Sequence, residues 1–416
     1  MANKIYINIK ILAGINTENL LLRGADLNEL NVIENAFLKT NDNVIEDYGS
    51  MSTVDLSVLE AATEIIDVTG KIIFPTWVDS HTHLVHAASR EDEFIAKLKG
   101  ASYEEIAAMG GGILNSAKKI ATISEEDLLK ISLAKLQTAI ASGTGALEIK
   151  SGYGLSVEGE LKMLRVIKEI KRISPIPIKA SFLGAHSFPL PFRDNHQVYI
   201  QQIIKEMLPT IAKESLADYV DVFCERGFFS PEEMSQICTA AREYGLQPKL
   251  HINQLNSIGG VEAGIALNAI SLDHLETLSN EEIKLIGVSN SIATLLPTAA
   301  FFLRMQYPPA RNLINANAAV SIASDFNPGS SPSSNMNFVA TLSAVQMKML
   351  PNEVINAGTI NAAFAMGVDE QVGNIQKGKL ANFIITKQVN SLGYLFYDFA
   401  GSHIDRVVVN GSFVGG

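Results

Sequence analysis

"PTWVDSHTHL", residues 75 to 84, sets His81 and His83 one residue apart at the end of an apolar, strand-like run. On a strand, side chains two positions apart share a face, so both imidazoles project together while Thr82 points away. From Trp77 onward, short apolar runs alternate with longer stretches such as "SEEDLLKISLAKLQTAIASG" and "GELKMLRVIKEIKRIS", whose apolar residues recur at helical spacing. Such β/α alternation predicts a parallel sheet. The candidate strands are "WVDSHTHL", "GALEIKSG", "IPIKASFLGAH", "DYVDVFCE", "LQPKLHIN", "AISLDHL", "SIATLLP" and "AVSIASDFN", the number a (β/α)8 TIM barrel requires.

The two ends of the chain read differently. "KIYINIKIL" and "NVIEDYGSM" near the start, and "GNIQKGKLANFIITK" and "IDRVVVNGSFVGG" near the end, are turn-punctuated β text. The expected organisation is a composite β-sandwich domain from residues 1–74 and 367–416 around a catalytic barrel over 75–366.

Bulk properties narrow the function. A chain of 416 residues, 47% apolar and 19% charged, is an ordinary globular protein. The net charge of -11, without a lysine or arginine tract, argues against a nucleic-acid partner. No apolar run approaches the roughly 20 residues of a membrane-spanning helix, so no membrane partner is expected. Two cysteines, Cys224 and Cys238, and a start without a hydrophobic leader point to a cytoplasmic protein.

The polar residues at the strand ends carry the chemistry. Besides His81 and His83, His186 ends "ASFLGAH", His251 ends "PKLH", His274 ends "SLDH" and Asp325 ends "VSIASD". Active sites of barrels lie at these C-terminal ends. A lone histidine is more often a satisfied core residue, but six polar strand ends converging on one mouth, in a chain with 8 histidines, favour a site. Imidazoles and a carboxylate suit a zinc or iron ion, with His81, His83, His251 and Asp325 as the ligand set.

These residues resemble the amidohydrolase superfamily through "DVTGKIIFPTWVDSHTHL" and "GNIQKGKLANFII", the latter with Asn382 where aspartate is more usual. More narrowly, "HTHLVHAASREDEF", "EIKSGYGL", "FLGAHSFP", "DVFCERG", "GGVEAGIALNAISLDHLE", "ATLLPTAAFFLR" and "ASDFNPGS" resemble the imidazolonepropionase family of histidine degradation. The resemblance implies hydrolysis of 4-imidazolone-5-propanoate to N-formimidoyl-L-glutamate with one Zn²⁺ or Fe³⁺ ion per subunit, on the same four ligands. It also implies substrate contacts at Arg90, Tyr103, Tyr153, His186 and Asn327, and a homodimer. An arginine suits the propanoate carboxylate, although Arg90 could instead pair with Glu91 or Glu93. "SYEEIAAMGGGILNSAKK", with Gly110 to Gly112, reads as a segment over the mouth or a tight turn.

The chain departs from the family pattern after His251, where an acid is common and "HINQL" supplies Asn253 and Gln254, neither of them a base. Proton transfer then falls to His274 or Asp325, with Gln254 holding water or ring and His186 or the metal stabilising the developing oxyanion. Thr76, Trp77 and Ala88 are lesser departures. Lys150 supports a rival reading, a carboxylated lysine between two metals, but its setting matches the single-ion family and makes it a supporting residue. Two alternatives stay open: another mononuclear amidohydrolase acting on a cyclic amide or aminated base, and a non-catalytic binding protein of this fold.

Overall fold

The computed structural model describes residues 3–16, 18, 20–58, 63–100 and 111–414. Tyr103 and Gly110 lie outside them.

The chain begins with β1 (Lys4–Ala13), β2 (Val32–Asn41), β3 (Val44–Ser50), β4 (Glu64–Asp67) and β5 (Lys71–Pro75). Eight parallel strands follow: β6 (Trp77–Asp79), β7 (Thr144–Lys150), β8 (Ile178–Ala185), β9 (Tyr219–Cys224), β10 (Gln247–Ile252), β11 (Ser271–His274), β12 (Ile292–Leu295) and β13 (Val320–Ile322). Seven lie within the runs picked out above, and β7 starts one residue before its run. They pair in chain order from β6 to β13. The ring closes past the ends of β6 and β13, where Asp325 N donates to His81 O at 3.0 Å and His83 N donates to Phe326 O at 2.9 Å.

The last strands, β14 (Phe383–Gln388), β15 (Ile404–Val409) and β16 (Ser412–Val414), return to the first sheet, where β14 pairs antiparallel with β5. Both chain ends therefore build one connected eight-stranded sheet. It branches at β1, whose first half pairs with β4 and whose second half pairs with β5.

Several crossover helices start at a serine the sequence supplies. Ser124, Ser156, Ser230 and Ser279 each accept a hydrogen bond from a backbone N–H of the first turn, and Ser230 and Ser279 complete capping boxes with Glu233 and Glu282. Such a side chain satisfies donors that the first turn cannot pair internally.

Barrel interiors are usually filled by Val, Ile and Leu. Here Leu147, Ile149, Val220, Val222, Leu250, Ile252 and Leu272 instead join one core with helix residues such as Leu136, Ile140, Leu164 and Ile167. The alternate positions, Glu148, Lys150, Asp221, Lys249, His251 and Asp273, are buried and polar. Period-two alternation thus places a polar interior inside an apolar shell.

Candidate metal centre and active site

His81 and His83 follow β6 and are fixed by its neighbours. Thr82 between them turns outward, its Oγ1 donating to Glu148 O at 2.6 Å, while Lys150 N donates to Thr82 O at 2.8 Å. The two imidazoles therefore face inward together. His251 Nε2 lies 3.3 Å from His83 Nε2, and Asp325 Oδ1 lies 3.5 Å from His81 Nε2 and 3.6 Å from His83 Nε2.

Two trios, His81 with His83 and Asp325, and His81 with His251 and His274, bring their ligand atoms within 4.8 Å of one another. His81 Nε2 is fully buried and has no hydrogen-bond partner among the described residues. An orphaned buried nitrogen is costly unless something binds it. Burial first, then the positive charge of Lys150 and the neighbouring imidazoles, hold His81 and His251 well below the ordinary histidine pKa; His83 is lowered likewise by burial and its neighbours. Neutral imidazoles with free lone pairs are what a metal ion requires.

A set of buried charges underlies these ligands. His81 Nδ1 lies 2.7 Å from Asp273 Oδ2, and His251 Nδ1 lies 2.7 Å from Asp221 Oδ2. Lys150 Nζ reaches Glu148 at 2.7 Å, Asp221 at 2.8 Å and Asp273 at 3.6 Å, and Lys249 Nζ reaches Glu148 at 3.1 Å. Burial disfavours the Lys150 ammonium, but the three carboxylates outweigh it and raise its pKa. Carboxylation needs a neutral amine, so this geometry makes Lys150 a counter-ion to the carboxylates rather than a bridge between metals. The sequence reading singled out neither Asp221 nor Asp273. The available signal was an acid in the middle of an apolar strand, "VDVF" and "SLDH".

Above the ligands is a cavity of about 220 Å³ whose walls include Arg90, Tyr153, His186, Gln254, His274 and Asn327. Every described residue expected at the site other than His81, which is fully buried beneath it, lines this cavity. Arg90 donates from Nε and Nη2 to Glu93 Oε2, at 2.8 and 2.5 Å, so of its two candidate partners it takes Glu93. The other Glu93 oxygen accepts from Gly112 N at 2.9 Å. A Cβ at Gly329 would collide with the Arg90 guanidinium, so this glycine admits it.

Tyr153 is held by a buried carboxylate that the sequence reading missed. Glu160 accepts from Gly152 N at 2.9 Å, Gly154 N at 2.6 Å and Leu155 N at 3.1 Å, folding "SGYGL" around itself. Tyr153 is consequently only 4% exposed and packs against His83 and His186, with ring centres 5.7 and 5.5 Å apart. His186 Nδ1 lies 3.0 Å from Gly152 O, and Gly152, at φ +112, leaves no room for a side chain against that ring.

Gln254 sits between two anchors. Asn253, at φ +56, donates to Glu282 and Thr277 O, and Glu225 accepts from Leu255 N and Asn256 N. Asn327 is bonded within its own loop, to Asp325 O and Ser330 through Nδ2 and from Gly329 N and Ser330 N through Oδ1. Asp325 has its pKa raised to about 6 by burial, against the opposing effect of His274 and of hydrogen bonds from Asn327 and Ser330.

His274 is placed by strain. Ser271 Oγ donates to Asp273 Oδ1, so these two share the inner face of β11, and regular alternation would turn His274 outward with Leu272. Instead His274 has φ +85 and Leu275 φ +67, which rotates the imidazole into the cavity wall. Non-glycine residues in that region cost about 1–3 kcal/mol each and cluster at functional sites.

Comparison with known proteins agrees with this geometry. Residues 72–414 match the Amidohydrolase family. The chain is 50% identical over 391 residues to the imidazolonepropionase of Flavobacterium johnsoniae, covering 94% of each chain. It is 46% identical over 408 residues to that of Christiangramia forsetii, covering 98% of each. Among solved structures, E. coli guanine deaminase superposes with a TM-score of 0.73 at 14% identity, covering 100% of this chain and 99% of that one. Guanine deaminase from C. acetobutylicum with bound guanine gives 0.70 at 16%, covering 99% and 100%. The structural likenesses establish the fold.

Proposed function

The chain belongs to the amidohydrolase family and, within it, to the imidazolonepropionases, and from that premise we propose how its residues perform the reaction. It hydrolyses the ring amide of 4-imidazolone-5-propanoate to N-formimidoyl-L-glutamate, a step of histidine degradation. The observation that carries the reading is the orphaned Nε2 of His81, facing Asp325 and the other imidazoles at the bottom of a cavity walled by Arg90.

His81, His83, His251 and Asp325 hold one Zn²⁺ or Fe³⁺ ion per subunit, which when bound acidifies water and polarises the ring carbonyl. Arg90 exchanges its Glu93 partner for the propanoate carboxylate. Tyr153 and His186 flank the ring, and His186, whose Nδ1 is held at Gly152 O, has its Nε2 left for the developing oxyanion. Gln254 orients water or the ring by hydrogen bonds. His274 takes the proton of the attacking water and returns it, or Asp325 does, to the departing ring nitrogen as the carbon–nitrogen bond breaks. A neutral aminated base would give Arg90 no anion to bind, which disfavours deamination here.

Cytoplasmic location, a homodimer, and a small-molecule substrate without nucleic-acid or membrane partners belong to the same proposal. The charge of -11 speaks against a nucleic-acid partner, and among the described residues no helix is long and apolar enough to cross a membrane.

The test is loss of ultraviolet absorbance of freshly prepared imidazolone propanoate with metal-analysed protein, against a chelator-treated control. Metal-dependent turnover is expected. Absence of turnover with one ion bound would overturn the assignment.

A further inference from the structure

We propose that Glu276 is a positioning residue that holds His274 as the proton-carrying group of the site; this rests on the reaction assigned above. Glu276 is 1% exposed and lies behind the cavity wall, its Oε1 3.3 Å from His274 Nδ1. Its other oxygen has no hydrogen-bond partner among the described residues. The segment carrying it is pinned on each side, Leu275 N to Ile252 O at 3.1 Å and Thr277 N to Asn253 O at 2.9 Å, while Gln306 Nε2 donates to Glu276 O at 2.7 Å. The two left-handed residues, His274 and Leu275, are what bring carboxylate and ring side by side.

A contrast with the other imidazoles separates this pair from a ligand and its support. Behind His81 and His251 stand Asp273 and Asp221, and both carboxylates also face the fixed positive charge of Lys150. Each already shares a lysine, and they orient neutral rings. Glu276 pairs with no lysine or arginine among the described residues; its only ion-pair contact is His274. A buried carboxylate whose one side-chain partner is an imidazole holds that ring in a single orientation. Accepting from Nδ1–H also fixes the tautomer whose Nε2 lone pair faces the cavity. The proton leaves water for His274 Nε2 and goes on to the departing ring nitrogen, so His274 ends as it began. Gln254, an amide, supplies no such group.

The test compares wild type, Glu276→Gln and Glu276→Leu, each prepared by loading with zinc, analysed for zinc and assayed with imidazolone propanoate. Glu276→Leu is expected to lose about 10- to 100-fold in kcat, with KM and zinc content unchanged. Glu276→Gln, whose amide oxygen still accepts from Nδ1–H without carrying charge, is expected to fall between. In the proton NMR spectrum, the downfield Nδ1–H signal that His274→Asn removes should also vanish in Glu276→Leu. Wild-type kcat in both Glu276 variants, or zinc lost in step with kcat, would overturn the inference. An inactive wild type would overturn the reaction assignment instead; the NMR signal then still decides, and its persistence in Glu276→Leu would overturn the pairing.

Discussion

The floor and the mouth of the barrel are built from the same residue types to opposite ends. On the floor, Glu148, Lys150, Asp221, Lys249 and Asp273 are wholly buried on strands, and each charge meets an opposite one. At the mouth, Arg90, Tyr153, His186 and Gln254 sit on loops, and carboxylates such as Glu160 and Glu225 hold the backbone of some of these loops. Strand ladders fix the floor, so its side chains can be spent on balancing charge. Loops lack ladders, so buried carboxylates replace them and hold side chains such as Tyr153 and Gln254 at the cavity wall.

The largest expected effect tests the boundary between the two regions. His81→Ala should abolish metal binding and activity while leaving the fold largely intact, read by metal analysis and circular dichroism. A fully active variant with metal bound would break the ligand assignment.

Lys150→Met tests the floor. It leaves buried carboxylates without their cation, and removing one partner of a buried ion pair costs about 3–5 kcal/mol. A large drop in denaturation midpoint is expected, with weaker metal retention against a chelator. A midpoint within experimental error of wild type would show that the floor does not depend on balanced charge.

Arg90→Met tests the mouth. Losing a hydrogen bond to a charged group costs about 1.5–3 kcal/mol, so KM for imidazolone propanoate should rise roughly 10- to 100-fold. Stability and metal content should hold. An equal rise for an analogue lacking the carboxylate would show that Arg90 shapes the cavity rather than binding the anion.

The smallest effect concerns the seam between the regions, where Lys135 Nζ donates to Leu84 O at 3.3 Å and His86 O at 2.6 Å. Burial pushes its pKa down to about 7. Between about pH 7 and 10 the unfolded chain therefore holds the extra proton, and the Lys135 contribution to stability grows as pH rises. The stability difference between wild type and Lys135→Met should shift toward wild type over that window in denaturant titrations. A flat difference would mean that Lys135 keeps its ordinary pKa.

The sequence by itself determined the eight strands, the return of the C-terminal end to the first sheet and the residues that gather around the cavity. Strand and helix periodicities are local, and polar residues at the ends of apolar runs stand out against them. Asp221, Asp273 and Glu160 did not stand out, because an acid inside an apolar strand or helix reads as surface until the partner that neutralises it is known. Those partners, Lys150 for the two aspartates and the backbone of residues 152–155 for Glu160, arrive only with the fold. His274 shows the same limit from the other side. Its identity was legible, but the alternation of β11 aims it away from the cavity, and the tertiary contacts that hold two left-handed residues decided where its ring points.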